Sequence, residues 1–299
     1  MKILTVALEV LALLLLAGIA FRSSSRGSVT FSLQTSPKAS HFKRFVNLPY
    51  IEDTGRVNDK QRLDLLVPVG LSMMPSVVIL HGGGWIAGEK HDVEVQRVAE
   101  WLAGRGVIGV PLDYRLVPSA SVIDQAADVA GGVAWLFRHI VEYGGDPRRL
   151  FLLGHSSGAH QAALVSCDRH YLDSLAVPPE VPAGVIALAG IYDLRDLKKA
   201  TTLLGRTTVQ IFLGADAEMR RSVSPILYVH AGMPRFLLLN GKDDLLIRET
   251  QATEMAQAIR AVGGNAAVDS ISRRNHMTLF TDMPEPGDAT AAAVLNFVK

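Results

Sequence analysis

Gly154-His155-Ser156-Ser157-Gly158 directly follows the apolar run Leu150 to Leu153 and leads into a segment that opens at Ala159. A strand that passes through Gly-x-Ser-x-Gly into a helix must turn sharply at the serine. The turn holds the hydroxyl out at the strand end, above the N-terminus of the helix. A Cβ on either glycine would collide with the neighbouring strand or helix. The chemistry such a turn serves is attack by the Ser156 oxygen on a carbonyl carbon. The same five residues also suit a plain strand-to-helix turn, so the partners of the serine must decide.

At neutral pH a serine needs a base to take its proton, a group to orient that base, and donors for the oxyanion that forms. Donors are offered by His81-Gly82-Gly83-Gly84-Trp85, at the end of another apolar run. Consecutive glycines let backbone N–H groups reach into a site without side chains in the way. The N–H groups of Gly83, Gly84 and Ser157 are therefore the expected oxyanion hole. A phosphate cradle is disfavoured, because no Lys-Ser or Lys-Thr follows and the spacing is wrong for a dinucleotide. If the chain order is serine, acid, histidine, the acid lies in Asn240-Gly241-Lys242-Asp243-Asp244, where two carboxylates follow an apolar strand. Of the nine histidines, His276 combines a place beyond those carboxylates with a loop after the last expected strand. His155 should point away from the serine, His160 belongs to the next helical turn, and His81 should brace the glycine loop.

These groups need a scaffold that brings distant strand ends together. Early strands are expected at Phe45 to Ile51 and Arg62 to Pro68, around the turn Asp53-Thr54-Gly55. Short buried strands at Val77 to Leu80 and Val107 to Leu112 flank a helix from Val93 to Gly104. A long helix, Val122 to Tyr143, ends at the break Gly144-Gly145-Asp146-Pro147. Strands follow at Arg149 to Leu153, Gly184 to Ala189, Arg235 to Asn240 and Ala267 to Ile271. The helices between them run to Cys167, from Arg248 to Val262, and from Asp288 to Phe297. Such alternation predicts an α/β fold with a mostly parallel sheet covered on both faces, which binds ligands beyond the carboxyl ends of its strands. The Pro-rich stretch Val177 to Pro182 leads into the next strand, and one domain over 41–299 fits best.

The chain has 299 residues with a net charge of +1, and neither sign of charge forms a long run. Nothing in it resembles the basic footprint of a nucleic-acid binder. One cysteine, Cys167, excludes an intrachain disulfide and a multi-cysteine zinc site, and it reads as a buried apolar residue. Residues 1–21 carry the apolar run Val10 to Phe21 behind Lys2 and Glu9, which suits either a membrane anchor over residues 3–21 or a cleaved export signal. Residues 22–40, rich in Ser and Thr, read as a tether.

The ordered motifs Ile79-Leu80-His81-Gly82-Gly83-Gly84-Trp85, Asp113-Tyr114-Arg115-Leu116-Val117-Pro118, Gly145-Asp146-Pro147 and Gly154 to His160 resemble the α/β-hydrolase superfamily. The likeness is to hormone-sensitive-lipase-like and BD-FAE-like serine esterases. Gly190-Ile191-Tyr192-Asp193-Leu194 and the Trp after the glycines are also similar to arylformamidases and prenylcysteine methylesterases. The resemblance implies an α/β-hydrolase fold and hydrolysis of a small-molecule ester or amide through an acyl-enzyme, with no metal or organic cofactor. It makes Ser156 the nucleophile, His276 the base and Asp244, rather than Asp243, its orienter, because the family pattern Gly-x-x-Asp counts from Gly241. Trp85 either lines the acyl pocket or seals the oxyanion loop. Asp113 and Arg115 are expected to pair behind the site, and Asp128 and Trp135 to fix the long helix on the sheet. A non-catalytic binding module is the contrasting reading, weakened by the presence of serine, histidine and oxyanion glycines together. Without a long N-terminal cap a shallow pocket for short acyl groups is expected. Accordingly, kcat/KM for p-nitrophenyl acetate and butyrate should exceed that for palmitate, and a preference for palmitate would refute it.

Overall fold

In the strand Met74–Leu80, Val77 and Ile79 face one way and Val78 and Leu80 the other, and all four are fully buried. In the strand Gly145–His155, Phe151 and Leu153 join the first set, and Leu150 and Leu152 the second. A strand apolar on both sides must be covered on both sides, which is the signature of a parallel α/β sheet. The computed structural model describes residues 41–51, 59–203, 205–206, 209–210 and 216–299. The expected anchor or signal over 1–21, the tether over 22–40 and the turn Asp53-Thr54-Gly55 lie outside the described residues.

The strands are β1 (Phe42–Pro49), β2 (Arg62–Pro68), β3 (Met74–Leu80), β4 (Ile108–Leu112), β5 (Gly145–His155), β6 (Gly184–Leu188), β7 (Arg235–Gly241) and β8 (Ala266–Ile271). They form one sheet in the order β1-β2-β4-β3-β5-β6-β7-β8. From β4 to β8 every pair is parallel, while β1 and β2 are antiparallel to each other and β2 to β4. Helices α1 (Val93–Ala103) and α5 (Ala289–Val298) pack on one apolar layer. Helices α2 (Val122–His139), α3 (Ser157–Cys167) and α4 (Thr250–Ala261) pack on the other. From β3 the chain winds outward to β4 and then returns to β5 on the opposite side. The carboxyl ends of β3 and β5 therefore flank a topological switch point, where such sheets open a crevice.

Several boundaries moved for identifiable reasons. The long helix becomes a tighter turn over Ile140–Tyr143 and stops at Gly144, whose φ of 78° caps it in the left-handed region. The break at Gly145 to Pro147 is recruited into β5, because Met74 and Gly145 pair as β3 begins. The first strand starts at Phe42 rather than Phe45, drawn back by pairing of Phe42 with Pro68.

The sequence reading overlooked a buried ion pair. Asp64, alone among the apolar residues of β2, meets the fully buried Lys90, with Nζ 2.7 Å from Oδ1. Lys90 Nζ also donates to Asn47 Oδ1 at 2.8 Å, and its backbone N–H to Asp113 Oδ1 at 2.8 Å. These bonds tie the segment after the glycine loop to β1, to β2 and to the end of β4. Removing one partner strands the other charge, so Asp64→Ala should cost about 3–5 kcal/mol in a denaturant titration. Arg44→Ala, at the exposed pair with Glu100, should cost at most about 1 kcal/mol.

Candidate active site

Ser156 holds φ 54° and ψ −117°, a conformation an L-residue enters only when its surroundings impose it. Its backbone N–H is taken by Leu188 O at 2.9 Å, and its carbonyl accepts from His160 N at 3.0 Å. The two flanking glycines make the turn possible by close approach. A Cβ on Gly158 would lie 2.3 Å from Leu80 O, and one on Gly154 would lie 2.2 Å from Gly158 O. The serine hydroxyl is thereby raised, half-buried, at the carboxyl end of β5.

His276 meets it from the loop after β8. Ser156 Oγ donates to His276 Nε2 at 2.9 Å, and His276 Nδ1 donates to Asp244 Oδ2 at 2.8 Å. A carboxylate only accepts, so Nδ1 carries the proton and Nε2 presents a lone pair to the hydroxyl. The other Asp244 oxygen accepts the N–H groups of Leu246 at 2.7 Å and Ile247 at 3.0 Å. Burial alone would raise this carboxyl, but the His276 charge and hydrogen bond and those two N–H groups hold it below the usual carboxylate value. Asp243 is exposed and bonds Arg274 O through its backbone instead.

Gly84 and Ser157 line the same crevice as this hydroxyl, with Gly83 next in the chain, and among the described residues no bond is made by their backbone N–H groups. Gly83 adopts φ 116° so that its carbonyl can accept from both Ile86 and Ala87 N–H, which closes the loop tightly. A small cavity of about 40 Å³ opens beside Ser156, walled by Trp85, Ile191, Val209, Leu246 and Ile247. Trp85 lines the cavity, and its carbonyl accepts from Gln125 Nε2 at 2.8 Å and Val117 N at 3.0 Å. The segment between β6 and β7, which supplies Val209, was missed because it lacks a strong hydrophobic period.

The remaining histidines brace. His155 Nε2 donates to His276 O at 2.7 Å, and its ring stacks on Phe280 at 5.3 Å, so it holds the loop that carries His276. His81 Nδ1 donates to Gly82 O at 2.7 Å, and its ring stacks on Tyr114 at 4.4 Å. Asp113 and Arg115 do not pair. Arg115 forks onto Asp128 with two bonds of 2.8 Å, while Asp113 turns to the Lys90 N–H and lies 3.6 Å from Lys60 Nζ. The buried Asp128 needs a cation facing it from beside α2, and Arg115 is on that side. The Arg115 backbone N–H adds a bond at 3.0 Å, and Gln61 Nε2 donates to Asp128 at 2.8 Å. Cys167 is buried, and burial pushes its thiol well above the ordinary range. Among the described residues no cluster could hold a metal and no helix is long and apolar enough to cross a membrane.

The strained serine between β5 and α3, the glycine loop after β3 and the imidazole after β8 define the α/β-hydrolase fold. Esterase B from Lactobacillus Rhamnosis superposes with a TM-score of 0.77 at 20% identity, over 99% of this chain and 94% of that one. A truncated carbohydrate esterase from gut microbiota gives 0.69 at 17% identity, over 88% of this chain and 99% of that one. The BD-FAE family model matches residues 63–259, and the chain belongs to that family. Among its relatives, a probable isoprenylcysteine alpha-carbonyl methylesterase of Arabidopsis thaliana is 29% identical over 80% of this chain and 53% of its own. A probable carboxylic ester hydrolase of Mycobacterium tuberculosis, LipM, is 29% identical over 65% of this chain and 47% of its own. The chain thus spans about half the length of the relatives it matches.

Burial lowers His81 and His160 to about 4 and His155 to about 3, against 6.5 for a free imidazole. Between these limits the unfolded chain binds more protons, so stability is full above about pH 6.5 and falls as pH drops towards 4. Calorimetry should show Tm declining between about pH 6.5 and pH 4.5, whereas a flat Tm there would contradict neutral buried rings.

Proposed function

We propose that this chain is a serine hydrolase that cleaves carboxylic esters through an acyl-enzyme. The observation that carries the reading is the continuous hydrogen-bonded line from Ser156 Oγ through His276 to Asp244 Oδ2. In the first half-reaction Ser156 Oγ attacks the acyl carbon as His276 Nε2 takes its proton. Asp244 stabilises the imidazolium that results and fixes its orientation. The carbonyl oxygen becomes an oxyanion held by the N–H groups of Gly83, Gly84 and Ser157, where losing one donor typically costs about 3–4 kcal/mol. His276 then protonates the departing alcohol, and the acyl group remains on Ser156. In the second half a water loses its proton to His276 as its oxygen attacks the acyl carbon, and His276 returns that proton to Ser156 Oγ as the acid is released. The cavity beside Trp85 takes the acyl group, and its small volume supports short chains.

The likeness to isoprenylcysteine methylesterases supports a second reading, in which the substrate is a methyl ester and the cavity holds the small methoxy group. Rates on p-nitrophenyl acetate and on a farnesylcysteine methyl ester, compared side by side, separate the two. N-formylkynurenine tests amide cleavage by the same groups.

A fluorophosphonate probe should label the protein stoichiometrically, and Ser156→Ala should abolish labelling while Tm is retained. Well-folded protein that resists the probe would leave only a binding module. Asp244→Asn should lower kcat by up to about 10⁴-fold, and Asp243→Asn should be far milder. The reverse order would assign the wrong carboxylate.

A further inference from the structure

We propose that His160 sets the acyl-length limit of the site by holding Trp85 against the cavity. This specificity role rests on the ester-hydrolase reading. His160 lies one helical turn beyond Ser156 and is fully buried, and its ring bonds Trp85 and Val223 rather than the serine hydroxyl. Trp85 Nε1–H donates to His160 Nδ1 at 3.2 Å, with the two rings edge to face at 5.4 Å. On its far side His160 Nε2–H donates to Val223 O at 2.7 Å. A carbonyl only accepts, so Nε2 must carry the proton and Nδ1 must keep the lone pair that receives the indole. Protonation would break the contact with Trp85, and burial keeps the ring neutral by lowering it to about 4.

The two ends of this line belong to different segments of the chain, both of which supply residues to the cavity. Trp85 follows the oxyanion glycines, and Val223 belongs to the β6–β7 segment that also supplies Val209. The Trp85 backbone sits at φ 67° and is fixed by Gln125 and Val117, so its main chain has no freedom. Its ring direction is a separate matter. His160 is the one hydrogen-bond partner of the indole among the described residues. Without it the buried N–H is unpaired, which is costly, and the ring gains by rotating towards another acceptor or water. Rotation of the ring takes one wall away from the bound acyl group and admits a longer chain.

The test measures kcat/KM on p-nitrophenyl acetate, butyrate and octanoate. His160→Leu should raise the octanoate-to-acetate ratio roughly tenfold, the size of one buried hydrogen bond. The change should come mainly through a lower KM for octanoate. His160→Asn offers an amide oxygen near the Nδ1 position and should restore the wild-type ratio. Trp85→Phe, which keeps a ring but removes the donor, should shift the ratio in the same direction. Adding His160→Leu to it should change nothing further. The inference fails if His160→Leu alters only Tm, or if the two substitutions act additively. Should His160→Leu not fold, an unshifted ratio in Trp85→Phe overturns it alone. A wild type inactive on all three esters would overturn the ester reading itself, whereas an active wild type with unshifted variants removes only the role of His160.

Discussion

Backbone against backbone, without side chains between, is the contact on which the site depends. The first turn of α3 comes so near the end of β3 that a Cβ on Gly158 would lie 2.3 Å from Leu80 O and 2.5 Å from His81 O. That approach brings the Ser157 N–H beside the glycine loop and holds Ser156 in its strained conformation. A backbone of this kind stores about 1–3 kcal/mol, which the surrounding fold must offset. The offset is visible in the bond from Ser156 N to Leu188 O, which crosses to the neighbouring strand, and in α3, whose residues are all buried. A larger residue at either flanking glycine would move the helix, and with it both the Ser156 hydroxyl and the Ser157 N–H.

Three of the histidines near the site are kept neutral by burial and used as rigid struts. Each ring is fixed at one nitrogen by a backbone carbonyl: His155 by His276 O, His160 by Val223 O, and His81 by Gly82 O. Carbonyls select the tautomer, so no proton ambiguity is left in these rings. His276 differs in donating Nδ1–H directly to a carboxylate and facing the crevice, whereas the nearest carboxylate to the His81 ring, Asp113, stands 3.9 Å away and the rings of His155 and His160 bond main-chain carbonyls.

Much of this was legible in the sequence because it rests on local chemistry. Gly154 and Gly158 around Ser156, consecutive glycines after β3, and short apolar runs at regular intervals each demand a particular backbone. Residues whose meaning depends on distant partners were illegible or misread. Asp113 and Arg115 stand two apart and of opposite sign, which suggested a pair. The buried Asp128, in the next helix, competes better for the guanidinium because it offers both oxygens. Nothing beside Lys90 in the chain marks it as buried, since only the folded sheet brings Asp64 to it. Val209, between β6 and β7, gave no periodic signal, and its contribution to the cavity comes from where the fold carries it.

The Lys90 network also bears on the electrostatics of the oxyanion loop. Lys60, Lys90, Asp64 and Asp113 lie behind that loop, but they are bonded to one another or to loop carbonyls such as Gly88 O. Opposed charges so close together largely cancel beyond their own contacts. Closer to the serine than these charges are the N–H group of Ser157 and the His276 ring with its Asp244 carboxylate. Fixed dipoles need no reorganisation when negative charge forms on a substrate oxygen, and excluding water strengthens them. A lone lysine placed there would have stabilised any bound anion, the product acid included. On the proposed reading, pairing the charges and leaving N–H groups unpaired would favour an oxyanion confined to one position over a carboxylate that spreads its charge.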